Sequence, residues 1–403
     1  MCPTHSFFCQ VGPTKKSPKP PAIDYKKNTH TQTIDFDSFI DNSSFASLSV
    51  ITMIALSEVY ASQPVNVRHL DFNSIGELPE THAWPRHLDR PRLDEPVPVI
   101  DLRDPNVLAL ITHACETWGM FQITGHDIPI SLLDVAESEC CRLFSLPVDD
   151  KLKALRPPDG VSGYGVARIS SFFNKLMWSE GFTIVGDTTD NARKLWPHPH
   201  DHRRFCETIE EYKEQIRSLT MRLMTLIFSS LGLRDEDEDR SSYKEASSVV
   251  QLNSYPPCPD PDRAMGLAAH TDSSLLTVLY QSSTSGLQVL RVSDENGPER
   301  WVEVPSLRGA LVVNIGDLFQ ILSNGRYRSV LHRAVVNRTK HRFSIAYIHG
   351  PPAHIKISPL TAILDPLIGP LYRGVIWSDY LVLKANHFNE ALGSLRVEEK
   401  EDK

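Results

Sequence analysis

The feature that most constrains this chain is a change of period near Ser247. Before it, apolar residues recur at helical spacing. After it, short β-branched runs alternate with Gly, Pro, Asn and Asp, at 249–255, 275–281, 286–292, 301–304, 310–315, 318–322, 330–337, 342–348 and 354–357. Runs of this length bounded by turn formers read as strands, and about eight or nine at such even spacing close most simply into a double-sheet jelly roll. The expected fold class is α+β, a double-stranded β-helix (jelly-roll) core with a helical N-terminal half.

Upstream, Val107, Leu108, Ile111 and Ala114 share a helical face, with Asp104 as expected N-cap and Pro105 at the first helical position. Residues 120–124 read as a strand and 131–144 as a second helix. A long third helix spans 204–231 and is closed by Gly232. Folding proper is expected to begin at the apolar run 97–102, after a Pro-dense connector, and the acidic run 235–239 reads as a solvated loop. Residues 1–52 are rich in Pro, Thr, Ser, Lys and Asn and bury too little to offset the entropy of ordering, which predicts a disordered extension. The expected organisation is therefore that extension, a mostly helical region 53–246, a jelly-roll core 247–358, and a C-terminal helical segment and tail 359–403.

The net charge of -8 offers no basic footprint for nucleic acid. No apolar run reaches the roughly 18 residues of a membrane span, since 45–56 is short and broken by Ser and Thr. Seven cysteines, an odd number with Cys140 beside Cys141, do not form a secreted disulfide framework. Reduced thiols in a cytoplasmic protein fit this usage, with a small-molecule site in the barrel mouth.

The chemistry-bearing residues cluster in the strand-rich half. In Leu267-Ala268-Ala269-His270-Thr271-Asp272, an imidazole and a carboxylate stand two positions apart and share one side of extended backbone. His332 lies in another predicted strand. Two His and one carboxylate on one face of a metal leave the opposite positions open, which suits Fe(II) that must also bind a co-substrate and O2. Taken singly, a His-x-Asp triplet is more simply a hydrogen-bonded pair and His332 a satisfied core histidine. The added weight comes from Arg342-Phe343-Ser344 on the next strand, where Arg342 and Ser344 share a face. An Arg inside a small barrel asks for an anion, and its planar fork with a hydroxyl beside it matches the distal carboxylate of 2-oxoglutarate. A guanidinium reaching out to water is the alternative.

Taken with Asn253-Ser254-Tyr255-Pro256-Pro257-Cys258-Pro259, these elements in this order resemble the plant 2-oxoglutarate-dependent dioxygenases. The resemblance implies Fe(II) on His270, Asp272 and His332, with 2-oxoglutarate on Arg342, Ser344, Tyr255 and Asn253. It further implies O2 as second co-substrate, with ascorbate as the reductant that keeps iron reduced. A narrower likeness, to the gibberellin 3-oxidases, comes from three segments. They are Leu78-Pro79-Glu80-Thr81-His82-Ala83-Trp84, the run 163–173 beginning Gly163-Tyr164-Gly165, and Lys175-Leu176-Met177-Trp178-Ser179-Glu180-Gly181-Phe182. It implies 3β-hydroxylation of a C19 gibberellin, a rigid apolar skeleton carrying a carboxylate. Met53 looks like the start of that family, so the resemblance implies that residues 1–52 are non-native or dispensable, and the likeness runs from about Met53 to about Arg396.

Tyr164, Arg168, Phe172 and Trp178 are the expected substrate contacts, with Phe172 and Trp178 as inter-element packing the alternative. Oxidation at the gibberellin 2 or 20 position, or of another plant metabolite, remains open at this level. So does a hormone-binding barrel without turnover, which the presence of all three metal ligands argues against.

Overall fold

A computed structural model of the chain describes residues 70–397, apart from 73, 86–95, 159, 235–242, 244–246 and 293–298. The predicted extension 1–52, the start at Met53, the acidic run 235–239 and much of the Pro-dense connector lie outside the described residues. In chain order the strands are β1 (Val99–Asp101), β2 (Met120–Thr124), β3 (Gly163–Gly165), β4 (Glu180–Ile184), β5 (Ser247–Tyr255), β6 (Leu267–His270) and β7 (Leu276–Gln281). They continue with β8 (Leu287–Val292), β9 (Glu299–Glu303), β10 (Leu311–Ile315), β11 (His332–Ala334), β12 (Arg342–Gly350), β13 (Lys356–Ile357) and β14 (Val375–Ile376). The helices are α1 (Val107–Thr117), α2 (Ile130–Phe144), α3 (Val148–Leu152), α4 (Thr189–Leu195), α5 (Pro199–Ser230), α6 (Asp317–Leu322) and α7 (Trp377–His387).

Two sheets form the core of the fold. The larger has eight strands in the order β1-β2-β10-β7-β12-β5-β4-β3, and the smaller has four in the order β6-β11-β8-β9. Every pairing in them is antiparallel except β1 with β2. Strand β12 shows why the sequence alternates as it does. Phe343, Ile345 and Tyr347 join the main apolar core, while Arg342, Ser344, Ala346 and Ile348 point the other way and line a cavity. A one-residue slip would exchange these faces, so the pattern itself pins the register.

The long helix α5 covers the outer face of the large sheet. It buries Phe205, Ile209, Tyr212, Ile216, Leu219, Leu223 and Ile227, a stripe with steps of three and four residues. The Tyr212 hydroxyl donates to the Ile345 carbonyl on β12 (3.4 Å), so the helix is tied as well as packed. Leu231 caps the helix and Gly232 follows at φ +85°, as the sequence suggested.

Three expectations are corrected. The run 318–322 is helix α6 rather than a strand, because a short apolar stretch buried at all but Gln320 carries too little period to tell a strand from a buried helical turn. The expected strand 330–337 contracts to β11, where the ladder is irregular between His332 and Ala334. The first helix begins at Val107, not at Pro105. Asp104 instead accepts a bond from the Asn106 N–H (2.7 Å), closing a turn ahead of the helix. Four of the eight strands in the large sheet, β1 to β4, precede Ser247, so the helical first half also builds the barrel wall.

Candidate active site

His270 ends β6 and His332 opens β11, and the two residues face each other across the small sheet. Their ring centroids are 4.3 Å apart. Asp272 lies just beyond β6, with its Oδ1 3.7 Å from His270 Nε2 and 3.6 Å from His332 Nε2. Two donor atoms on one ion with bonds of ~2.1 Å lie no more than about 4.2 Å apart, so both distances suit a shared metal. Among the described residues this is the only His/Cys/Asp/Glu group drawn together in this way.

The tautomers suit a metal too. His270 Nδ1 lies 2.8 Å from the Ala268 carbonyl and His332 Nδ1 3.2 Å from the Val330 carbonyl. A carbonyl only accepts, so each Nδ1 carries the proton and each Nε2 presents a lone pair. Burial, then the neighbouring His332, lowers the His270 pKa to about 4, which keeps the ring in its ligating neutral form. Burial alone would raise the Asp272 carboxyl, but His332 and His270 outweigh it and hold the group below its ordinary range.

Arg342, Ser344, Tyr255 and Asn253 come from the large sheet, where Arg342 pairs with Tyr255 and Ser344 with Asn253. Arg342 is 2% exposed. Its Nη2 donates to Gln281 Oε1 (3.1 Å), and its carbon Cζ sits 4.9 Å from the centre of the Tyr255 ring. Nε and Nη1 have no hydrogen-bond partner among the described residues. A buried guanidinium with two unsatisfied donors calls for an anion, and burial pushes its pKa down. Gly286 makes room for the side chain, since a Cβ there would lie 2.9 Å from Arg342 Cδ and 2.7 Å from the Val335 carbonyl. Burial raises the Tyr255 phenol, opposed by the adjoining Arg342 and Ser344.

Both groups open on one cavity of about 450 Å³ between the sheets. Its walls include Ile169, Val249, Ile348, Leu381 and Phe388, an apolar lining for a compact ligand. Of the four expected substrate contacts, Arg168 and Phe172 line this cavity. Phe172 stacks on Phe388 at 4.7 Å, and Arg168 donates to the Pro158 and Gly160 carbonyls.

Tyr164 and Trp178 do not line it, which corrects that expectation. The Tyr164 hydroxyl donates to Glu180 Oε1 (2.5 Å), the carboxylate that Lys151 also holds at 2.5 Å. Trp178 packs against Phe72 and His82 and donates to the Pro256 carbonyl (3.2 Å). Both rings are fully buried, and for Trp178 this is the packing that stood as its alternative.

Other residues at the site escaped the sequence reading. Asn314 on β10 donates to Asp272 Oδ2 (3.5 Å), and Thr277 also bonds this carboxylate, turning Oδ1 toward the two histidines. A lone Asn within Leu-Val-Val-Asn-Ile was a usable signal, because a polar group in a buried strand needs a partner. The C-terminal segment buttresses the ligand loop from behind. Lys384 Nζ binds Asp317 Oδ2 (2.7 Å) and the Thr271 hydroxyl, Trp377 Nε1 donates to the Ser273 carbonyl (3.0 Å), and Asn389 Nδ2 donates to the Ala269 carbonyl (3.0 Å). Nothing in the local sequence announces these long-range contacts.

Residues 246–351 match the 2OG-Fe(II) oxygenase superfamily, and residues 97–202 match the N-terminal region described for non-haem dioxygenases in morphine synthesis. Gibberellin 3-beta-dioxygenase 1 of Pisum sativum is 52% identical over 361 residues, covering 86% of this chain and 94% of that protein. Gibberellin 3-beta-dioxygenase 2 of Arabidopsis thaliana is 50% identical over 349 residues, covering 85% and 99%. Among solved structures, JOX2 in complex with 2OG, Fe and JA superposes with a TM-score of 0.71 at 28% identity, covering 82% of this chain and 99% of that one. The rice dioxygenase for auxin oxidation gives 0.62 at 28% identity, covering 75% and 100%.

Proposed function

The chain belongs to the 2OG-Fe(II) oxygenase superfamily, and from that premise we propose that it hydroxylates C19 gibberellins at the 3β position. Its cofactor is Fe(II) on His270, Asp272 and His332, and its co-substrate is 2-oxoglutarate. When bound, Fe(II) with 2-oxoglutarate and O2 supplies the oxidising power that places one oxygen atom in the substrate C–H bond and the other in succinate, with release of CO2.

The protein's part is to bind, orient and exclude water. Arg342 offers Nε and Nη1 to the distal carboxylate of 2-oxoglutarate, with Ser344 and Tyr255 as further donors and Asn253 beside them. The gibberellin skeleton lies against the apolar wall that includes Phe172, Ile348 and Phe388, with the Arg168 guanidinium on the same lining for its carboxylate. The observation that carries the reading is one cavity receiving both the three-ligand face and a buried, half-satisfied guanidinium. The gibberellin itself rests on the likeness to the pea and Arabidopsis enzymes.

A cytoplasmic setting belongs to the same proposal, supported by five described cysteines that form no disulfide. Among the described residues no helix is long and apolar enough to cross a membrane. The test is mass-resolved turnover of C19 and C20 gibberellins with Fe(II), 2-oxoglutarate, ascorbate and air. A 3β-hydroxylated C19 product is expected, and oxidation at another position instead would overturn the regiochemistry.

A further inference from the structure

A line of polar side chains crosses the inner face of the large sheet, and its hydrogen bonds all run in one direction. Arg156 Nη1 donates to Thr183 Oγ1 (3.0 Å), and Thr183 Oγ1 donates to Gln251 Oε1 (2.6 Å). Gln251 Nε2 donates to Asn253 Oδ1 (3.2 Å), and Asn253 Nδ2 donates to Ser344 Oγ (3.3 Å). All five residues line the cavity, and the ladder sets them side by side, with Thr183 beside Gln251 and Asn253 beside Ser344.

The direction is forced, not chosen. A guanidinium can only donate, so Thr183 accepts from Arg156 and spends its one proton on Gln251. A backbone carbonyl can only accept, and Gln251 Nε2 also donates to the Leu252 carbonyl (3.1 Å). Both ends of the Gln251 amide are thereby fixed. Asn253 must then turn its oxygen to Gln251 and its NH2 to Ser344. Ser344 is left as an acceptor on this side, with its own proton directed into the pocket that Arg342 and Tyr255 share, beside the Tyr255 hydroxyl that it bonds.

The backbone makes room for this line. A Cβ at Gly181 would lie 2.7 Å from Gln251 Nε2, and one at Gly165 would lie 3.3 Å from Arg156 Nη2. Gly165 and Gly181 thus have a physical use in the site.

We propose that Gln251 is a positioning residue for the co-substrate: with Thr183 and Arg156 it sets the Asn253 amide so that the Ser344 hydroxyl donates to the 2-oxoglutarate carboxylate. This rests on the reading that Ser344 faces that carboxylate. Gln251→Glu tests it, because a carboxylate can only accept. Asn253 would turn its NH2 to Glu and its oxygen to Ser344, and the Ser344 proton would be drawn away from the co-substrate.

The experiment measures 2-oxoglutarate affinity by calorimetric titration of full-length protein loaded with Mn(II), for Gln251→Glu, Ser344→Ala and the double variant, with Mn(II) affinity measured alongside. Gln251→Glu should weaken 2-oxoglutarate roughly ten-fold, the loss of one charge-assisted bond, leave Mn(II) affinity unchanged, and add nothing in the Ser344→Ala background. Equal weakening with and without Ser344 would assign the effect to direct charge repulsion and overturn the proposal, as would no weakening at all. Should Gln251→Glu not fold, Asn253→Asp diverts the same proton and carries the same expectation. Wild-type protein that binds Mn(II) without 2-oxoglutarate would instead refute the underlying reading, an outcome distinct from either.

Discussion

Replacing Arg342 with Met separates a residue held for the co-substrate from one held for the fold. Without ligand, Arg342 is 2% exposed, bonds Gln281 through Nη2 and also the Tyr255 side chain, and leaves Nε and Nη1 unsatisfied. Exchanging a buried unpaired charge for an apolar side chain of similar length gains about 1–4 kcal/mol, while stranding Gln281 Oε1 costs about 1–3 kcal/mol. The two nearly cancel, so ligand-free stability should change by no more than about 2 kcal/mol in either direction. Co-substrate binding has no such compensation. Two bonds to a carboxylate at about 1.5–3 kcal/mol each correspond to a loss of roughly 100- to 10,000-fold in affinity. Scanning calorimetry of the Mn(II) protein without 2-oxoglutarate reads the first quantity, and calorimetric titration with 2-oxoglutarate reads the second. A variant several kcal/mol less stable, with 2-oxoglutarate affinity altered less than ten-fold, would instead make Arg342 a structural residue.

Three further outcomes are expected. Asn314→Leu frees the Asp272 carboxylate to rotate and should weaken Mn(II) binding about 10- to 100-fold, measured by titration. His349 is fully buried with both ring nitrogens unpartnered among the described residues, and burial lowers its pKa from 6.5 to about 4. The unfolded chain therefore takes up a proton that the native chain refuses, and stability falls as pH drops through that window; His349→Leu should spare about 2 kcal/mol of the loss between about pH 7 and pH 5 in urea unfolding. Tyr164→Phe should lower the melting temperature without changing the substrate KM, whereas Phe172→Ala should raise the KM and leave the melting temperature nearly unchanged, as steady-state kinetics and thermal scans would report.

The parts of the site that were legible in sequence share one property: their residues sit close together on strands whose period is two. His270 with Asp272, and Arg342 with Ser344, each share a side for that reason, and the alternation along β12 made the cavity face readable. The run 318–322 was misread because burial at all but Gln320 leaves too little period. Tyr164 and Trp178 lie off the cavity because a buried aromatic looks the same in sequence whether it meets a ligand or its own core, and only the pairing of β3 with β4 brings Tyr164 onto Glu180. Lys384 and Asn389 lie more than a hundred positions from the loop they brace, beyond any local pattern. Gln251 stood two residues before Asn253 on the same face of β5. Its role became visible only when β4 supplied Thr183 and the direction of each hydrogen bond could be followed.

On the proposed reading, one cavity couples 2-oxoglutarate cleavage to oxygen insertion at a single gibberellin carbon. Its most direct test is the parallel quantification of succinate and 3β-hydroxylated C19 gibberellin from the same reaction, for wild-type protein and for Asp272→Ala. Equal amounts of the two products are expected from the wild type and neither from the variant. Succinate and hydroxylated gibberellin in unequal amounts, or both products from Asp272→Ala at limiting iron, would contradict that coupling.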